Sequence, residues 1–142
     1  MTHGTVRINT VRFFETLRSR FSGNVVCEQR HETWFTHGAS RLLQTFQAGR
    51  VIADPTVVPL LDDVSGVSDT VYYRLHGSPR IYYSSDPADD IAVLVKKMRG
   101  QAEGRTAWCN VDNTALGAAT VNALTVQKQL LAEEEATGDS LQ

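Results

Sequence analysis

Val71-Tyr72-Tyr73-Arg74-Leu75-His76-Gly77-Ser78-Pro79 begins as a buried strand and ends in polar chemistry. A β-branched residue, two aromatics and a leucine in so short a run favour a strand packed in a core. The run then finishes in a cation, an imidazole and a Gly-Ser-Pro turn, although Arg and His are seldom buried without partners. Alternate residues of a strand face opposite sides, so Arg74 and His76 share one face while Tyr73 and Leu75 take the other. Polar groups gather in the same way at Glu28-Gln29-Arg30-His31, at Asp54-Pro55 and at Asp112-Asn113-Thr114. Strands that end in such groups and are separated by helices point to one rim of an α/β barrel.

The rest of the chain fits that alternation. Phe13, Phe14, Leu17 and Phe21 recur at helical spacing from Val11 to Phe21, and Ser22-Gly23-Asn24 stops the helix. Val25 to Glu28 reads as a strand. A helix opens at Thr36-His37-Gly38 with Ala39, Leu42, Leu43 and Phe46 on its face, and Gly49 is read as its end. Val51 to Ala53 is a short strand and residues 55–69 a long loop. Asp86-Pro87 reads as a capping carboxylate before a first-turn proline, opening a helix with Ile91, Leu94, Val95 and Met98 as its stripe. Thr106 to Val111 is the fourth strand, and Ala115 to about Ala132 the last helix. Residues 1–9 are expected to be unstructured and 133–142 to form a flexible acidic tail. Strand–helix alternation with short links implies parallel strands and right-handed crossovers.

A chain of 142 residues suits one domain with a substantial core. The net charge of −2 gives no reason to expect nucleic-acid binding through bulk electrostatics. No apolar run is long enough to span a bilayer and the N-terminus lacks a signal-peptide pattern, so a cytoplasmic location is expected. Cys27 and Cys109 sit in separate strands without CxxC spacing, and read as reduced, buried thiols.

Taken together, Glu28-x-Arg30-x-x-x-Trp34-Phe35, Ala53-Asp54-Pro55, Tyr72-Tyr73-Arg74-Leu75-His76-Gly77 with Tyr82-Tyr83-Ser84, and Asp112-Asn113-Thr114-x-x-Gly117-Ala118-Ala119-x-x-Asn122 resemble the YecE-like family. This is a TIM-type barrel family also called domain of unknown function seventy-two. The resemblance covers roughly residues 10 to 131 and only the C-terminal half of the family's barrel. It implies a half-barrel over residues 10–132, with four parallel strands and helices on the outer face. Such a sheet has two open edges and an uncovered inner face. Three outcomes follow: a truncated gene product, pairing with a separate complementary N-terminal half, or a homodimer. Truncation is the expectation.

The candidate catalytic set is His76, Arg74, Glu28, Asp54 and Asp112. In this reading Arg74 clamps an anionic small molecule or phosphodiester, His76 serves as acid or base, and the carboxylates orient partners. The same groups could instead form ion pairs that only hold the rim together. Arg30, Arg80, Tyr83, Asn113, Thr114, Gly77 and Asn122 complete the set as ligand-binding candidates. A helix starting directly after the last strand would offer free N–H groups to an anion, whereas Asp112 would repel one. Glu28, Asp54, His76 and Asp112 are metal-ligand types, but no HxH or HExxH spacing supports a metal and none is assigned. The sequence leaves the cofactor unknown. No complete catalytic constellation names a reaction, so a non-catalytic binding module and a fragment without independent activity stand as alternatives.

Overall fold

The computed structural model describes the backbone of residues 2–58 and 69–138, with side chains over 9–58 and 69–132. The chain runs through α1 (Thr2–Arg20), β1 (Val25–Cys27), a 3₁₀ turn (Glu32–Trp34), α2 (His37–Thr45), β2 (Ala48–Asp54), β3 (Thr70–Leu75), α3 (Ala88–Gln101), β4 (Thr106–Val111) and α4 (Ala118–Gly138). The strands form one parallel sheet in the order β1-β2-β3-β4. Most of the loop expected over residues 55–69 lies outside the described residues.

One face of the sheet is covered by helices. Val71, Tyr73 and Leu75 of β3 pack against Ile91, Val95 and Met98 of α3 and Val126 of α4, with Ile52 of β2 alongside. A second cluster joins Phe14 of α1, Leu43 of α2 and Ala48 of β2, with Val25 and Cys27 of β1 against it. The registers Val25 with Ala48 and Ile52 with Tyr73 place both clusters on the same side. This strict alternation is what sends Arg74 to the other face, as the strand period requires. No described helix is long and apolar enough to cross a membrane.

Several boundaries differ from the sequence reading. The first helix starts at Thr2 rather than Val11. Gly, Thr and Val in that stretch are weak helix formers, so propensity gave no signal. Gly49 does not stop α2: the helix is capped at Phe46, the chain turns at Gln47 with φ 49°, and Gly49 lies inside β2. Thr36 does cap α2, its Oγ1 accepting from the Ala39 N–H at 3.3 Å. At α3 the N-cap is Pro87, without a side-chain cap. The Asp86 carboxylate instead accepts from the Ser78 N–H at 3.2 Å. The last helix begins at Ala118 and continues to Gly138. Its acidic end is built from Ala and Glu, which are good helix formers.

Candidate functional site

The open face of the sheet carries a cluster drawn from three strand ends. Arg74 lies at the end of β3 and His76 just beyond it. Asp112 follows β4, and Glu28 follows β1. Arg74 Nε and Nη2 donate to Asp112 Oδ2 at 3.0 and 2.7 Å, and Nη1 donates to Glu28 Oε2. His76 stands between the same carboxylates, Nδ1 2.9 Å from Asp112 Oδ1 and Nε2 3.2 Å from Glu28 Oε1. Its backbone is fixed by a donation from His76 N to Asp54 O at 2.8 Å, and Asp112 N donates to Leu75 O at 2.9 Å. Glu28 must reach across β2 to meet β3. On the same face β2 presents the small side chain of Ala53, in register with Arg74.

The electrostatics follow from this geometry. Burial opposes ionisation of Glu28, but the hydrogen bond and charge of Arg74, joined by Arg30 and His76, outweigh it and hold the carboxyl below its ordinary value. The Arg74 guanidinium is pushed up, first by its bond to Glu28. Three of its five N–H groups are committed to the two carboxylates. The His76 side chain is 7% exposed and Arg74 30%, so the imidazole is sheltered while the guanidinium has an edge on solvent. Among the described residues, no group of three or more His, Cys, Asp or Glu side chains is arranged to hold a metal ion.

Asp54 is the correction. It was expected in this pocket, yet it pairs with Leu75 in the register and so belongs to the helix-covered side, at an exposed strand end. A strand's end fixes the height of a residue but not its face, and the alternation puts Ala53 where Asp54 was expected. Asp54 acts instead on Asp86, whose carboxyl is raised, chiefly by burial and further by Asp54 and Asp90, against the Ser78 N–H.

Arg30 joins the cluster only at its margin, with Nε 3.1 Å from Glu28 Oε1 and a side chain 63% exposed. Arg80 and Tyr83 lie in the loop after β3, the guanidinium stacked 3.9 Å over the ring. Tyr82, at φ 69°, sets its ring edge-on to His76 at 5.6 Å; its N–H donates to His76 O, and its carbonyl accepts from Ala115 N at 3.0 Å. Gly77 sits at φ +84°, so close to Ser84 O and Asn113 that any Cβ would collide.

Asn113 and Asn122 form a separate buried cluster. Asn113 Nδ2 donates to Ser84 O at 2.8 Å and to Asn122 Oδ1 at 2.7 Å. Asn122 accepts from Asp86 N at 3.1 Å and donates to Asp86 O at 2.9 Å. Thr114 is exposed in a turn before α4, and Gly117 at φ +79° separates it from the helix. The helix N-terminus therefore does not follow the strand directly, as the sequence had suggested. His31 is exposed, and its Nδ1 accepts from Thr33 N to cap the 3₁₀ turn.

Two buried polar residues escaped the sequence reading. Arg50 lies on the helix-covered side of β2, donating to Trp34 O at 3.0 Å and stacked 4.9 Å from the Phe35 ring. Gln29, 4% exposed, follows Glu28. An arginine two residues after Ala48 in a strand was the available signal for Arg50, hidden because Gly49 was read as a helix stop.

The model of the family described as Protein of unknown function DUF72 matches residues 5–142. The chain belongs to the DUF72 family. Two solved DUF72 family proteins share the fold. The one from Thermotoga maritima is 21% identical with a TM-score of 0.70, over 84% of this chain and 51% of its own. The one from Enterococcus faecalis is likewise 21% identical at a TM-score of 0.70, over 86% of this chain and 53% of its own. The chain thus spans about half the length of these DUF72 proteins. No curated protein matches it.

Proposed function

We propose that the Glu28–Arg74–His76–Asp112 cluster is an enzyme-like site for an anionic small molecule or phosphodiester. The observation that carries this reading is the composition of the cluster's bonds. Among the described residues the four side chains bond to one another and to Arg30, and to no main-chain atom. Arg74 is pre-oriented by its carboxylates and keeps two N–H groups to offer an anion. Asp112 holds the His76 ring through Nδ1, the arrangement that fixes an imidazole for proton transfer at its other nitrogen. Glu28 lies against that nitrogen, so a ligand proton would enter between Glu28 and His76. Tyr82 walls the ring on one side. A cytoplasmic setting suits the free Cys27 and Cys109, whose thiols burial pushes up, Cys109 to about 11.

The charge balance favours a second reading. Two carboxylates face Arg74, with Arg30 at the margin, and such a compensated network can be purely a ligand-recognition or stabilising element. Thermal-shift screening against phosphates, nucleotides and sugars separates the two, followed by turnover of any hit. The enzyme reading expects turnover with a pH profile that His76→Ala abolishes. Binding without turnover, or turnover unchanged in His76→Ala, would sink the catalytic role.

A further inference from the structure

We infer that the loop after β3 reads a planar ring carried by the bound anion, so that the ligand of this rim is a nucleoside monophosphate unit; the inference rests on the anion site proposed above and names the class of ligand it takes. The loop is a fixed platform. Gly77 at φ +84° leaves no room for a Cβ beside Ser84 O, and the Asn113 amide donates to that same carbonyl at 2.8 Å. Ser78 N donates to the Asp86 carboxylate at 3.2 Å. Ser84 N and Tyr83 N donate to Arg80 O at 2.9 and 3.0 Å, and Tyr82 O accepts from Ala115 N at 3.0 Å. On this backbone Arg80, Ile81, Tyr82 and Tyr83 all stand exposed, the two tyrosines by 38% and 41%.

Exposed apolar residues scattered singly need no account. These are consecutive, and they adjoin the charged cluster. The Tyr82 ring stands edge-on to His76, which shares Glu28 and Asp112 with Arg74. Tyr82 also holds a left-handed backbone at φ 69°, which bulky side chains seldom adopt, fixed by its bonds to His76 O and Ala115 N. Strain of this kind persists where the surrounding structure over-determines it, and it gathers at ligand clamps. Arg80 adds a second cation, its guanidinium 3.9 Å over the Tyr83 ring, and among the described residues it forms no ion pair. A bare phosphate would use Arg74 and leave the rings and Arg80 idle. A nucleotide uses all of them, with its phosphate at Arg74 and its base against Tyr82 and the Arg80–Tyr83 stack. Every base has a π-face, so such stacking accepts any of them. The net charge of −2 supplies no field for a long polyanion, so the free mononucleotide is the favoured source of the unit.

The test is calorimetric titration of the full chain with adenosine monophosphate, uridine monophosphate, ribose phosphate and inorganic phosphate. Both nucleotides are expected to bind about tenfold tighter than ribose phosphate, the share that one base–aromatic stack supplies. Tyr82→Asn keeps a residue that tolerates the left-handed backbone and removes the ring. It and Tyr83→Leu should each cut that ratio severalfold, with urea unfolding showing that both variants fold. Arg74→Gln should weaken nucleotide and ribose phosphate by the same factor. A phosphorylated trinucleotide that binds tighter than the mononucleotides would support the same chemistry and place the unit at the end of a strand. Nucleotides that bind no tighter than ribose phosphate would overturn the role of the loop and leave the anion site standing. A ratio unmoved in both tyrosine variants would do the same. Binding of no phosphate compound at all would overturn the anion site, and this inference with it.

Discussion

Two polar clusters sit within a few residues of each other at this rim, and they are built on opposite plans. The amide cluster of Asn113 and Asn122 is fully buried, and its bonds outside the pair run to residues 84–86, mostly to their main chain. The charged cluster of Glu28, Arg74, His76 and Asp112 is partly open, and among the described residues its side chains bond only to other side chains. Groups that hold a loop must grip its backbone, because unpaired buried main-chain groups are costly. Groups that grip only each other hold no loop, and their positions are set by the sheet beneath them. The first plan is scaffold; the second is the plan expected of the site proposed above.

That contrast can be broken or sharpened by substitution. The largest effect is expected on the scaffold side. Gly77→Ala forces a Cβ against Ser84 O, 2.4 Å away, at φ +84°, and should cost about 3 kcal/mol in urea unfolding. A loss under about 1 kcal/mol would mean that the loop yields freely. Asn122→Ala removes the acceptor and donor that clasp Asp86 and should cost about 2 kcal/mol by the same measurement. A neutral result would erase the distinction between the clusters.

On the charged side the expected effects are smaller and depend on pH. Glu28 has a folded-state value below the ordinary 4.5, so its contribution is present above that pH and is lost as acid takes the pH down through the lowered value. Stability measured by denaturant should therefore fall less steeply on acidification below pH 4.5 in Glu28→Gln than in the parent. Equal slopes would show that the pairing with Arg74 carries no linkage. The smallest change is expected for Arg30→Ala, under about 0.5 kcal/mol, because that pair is open to solvent. A larger loss would make Arg30 a structural member of the cluster.

Much of the fold was legible because it rests on periodicity. The alternation in residues 71–76 places Arg74 and His76 on one face, and both meet Glu28 and Asp112 there. What failed had no period behind it. Asp54 closes a strand whose start was misplaced at Val51 instead of Ala48, so its phase relative to Arg74 was not fixed. Asp86 carries the residue type of a cap, but Ser78 from another loop competes for its carboxylate, a contact between residues eight apart in sequence. Arg50 was missed because a single glycine serves equally well as a helix stop and as a strand residue.

Ala53 has a consequence that outruns its size. On β2 it stands in register with Arg74, on the face of the sheet that carries Glu28. A bulkier side chain there is expected to crowd the Glu28–Arg74 pair and to weaken it. The charge pattern of this rim is therefore expected to depend on a residue that carries no charge.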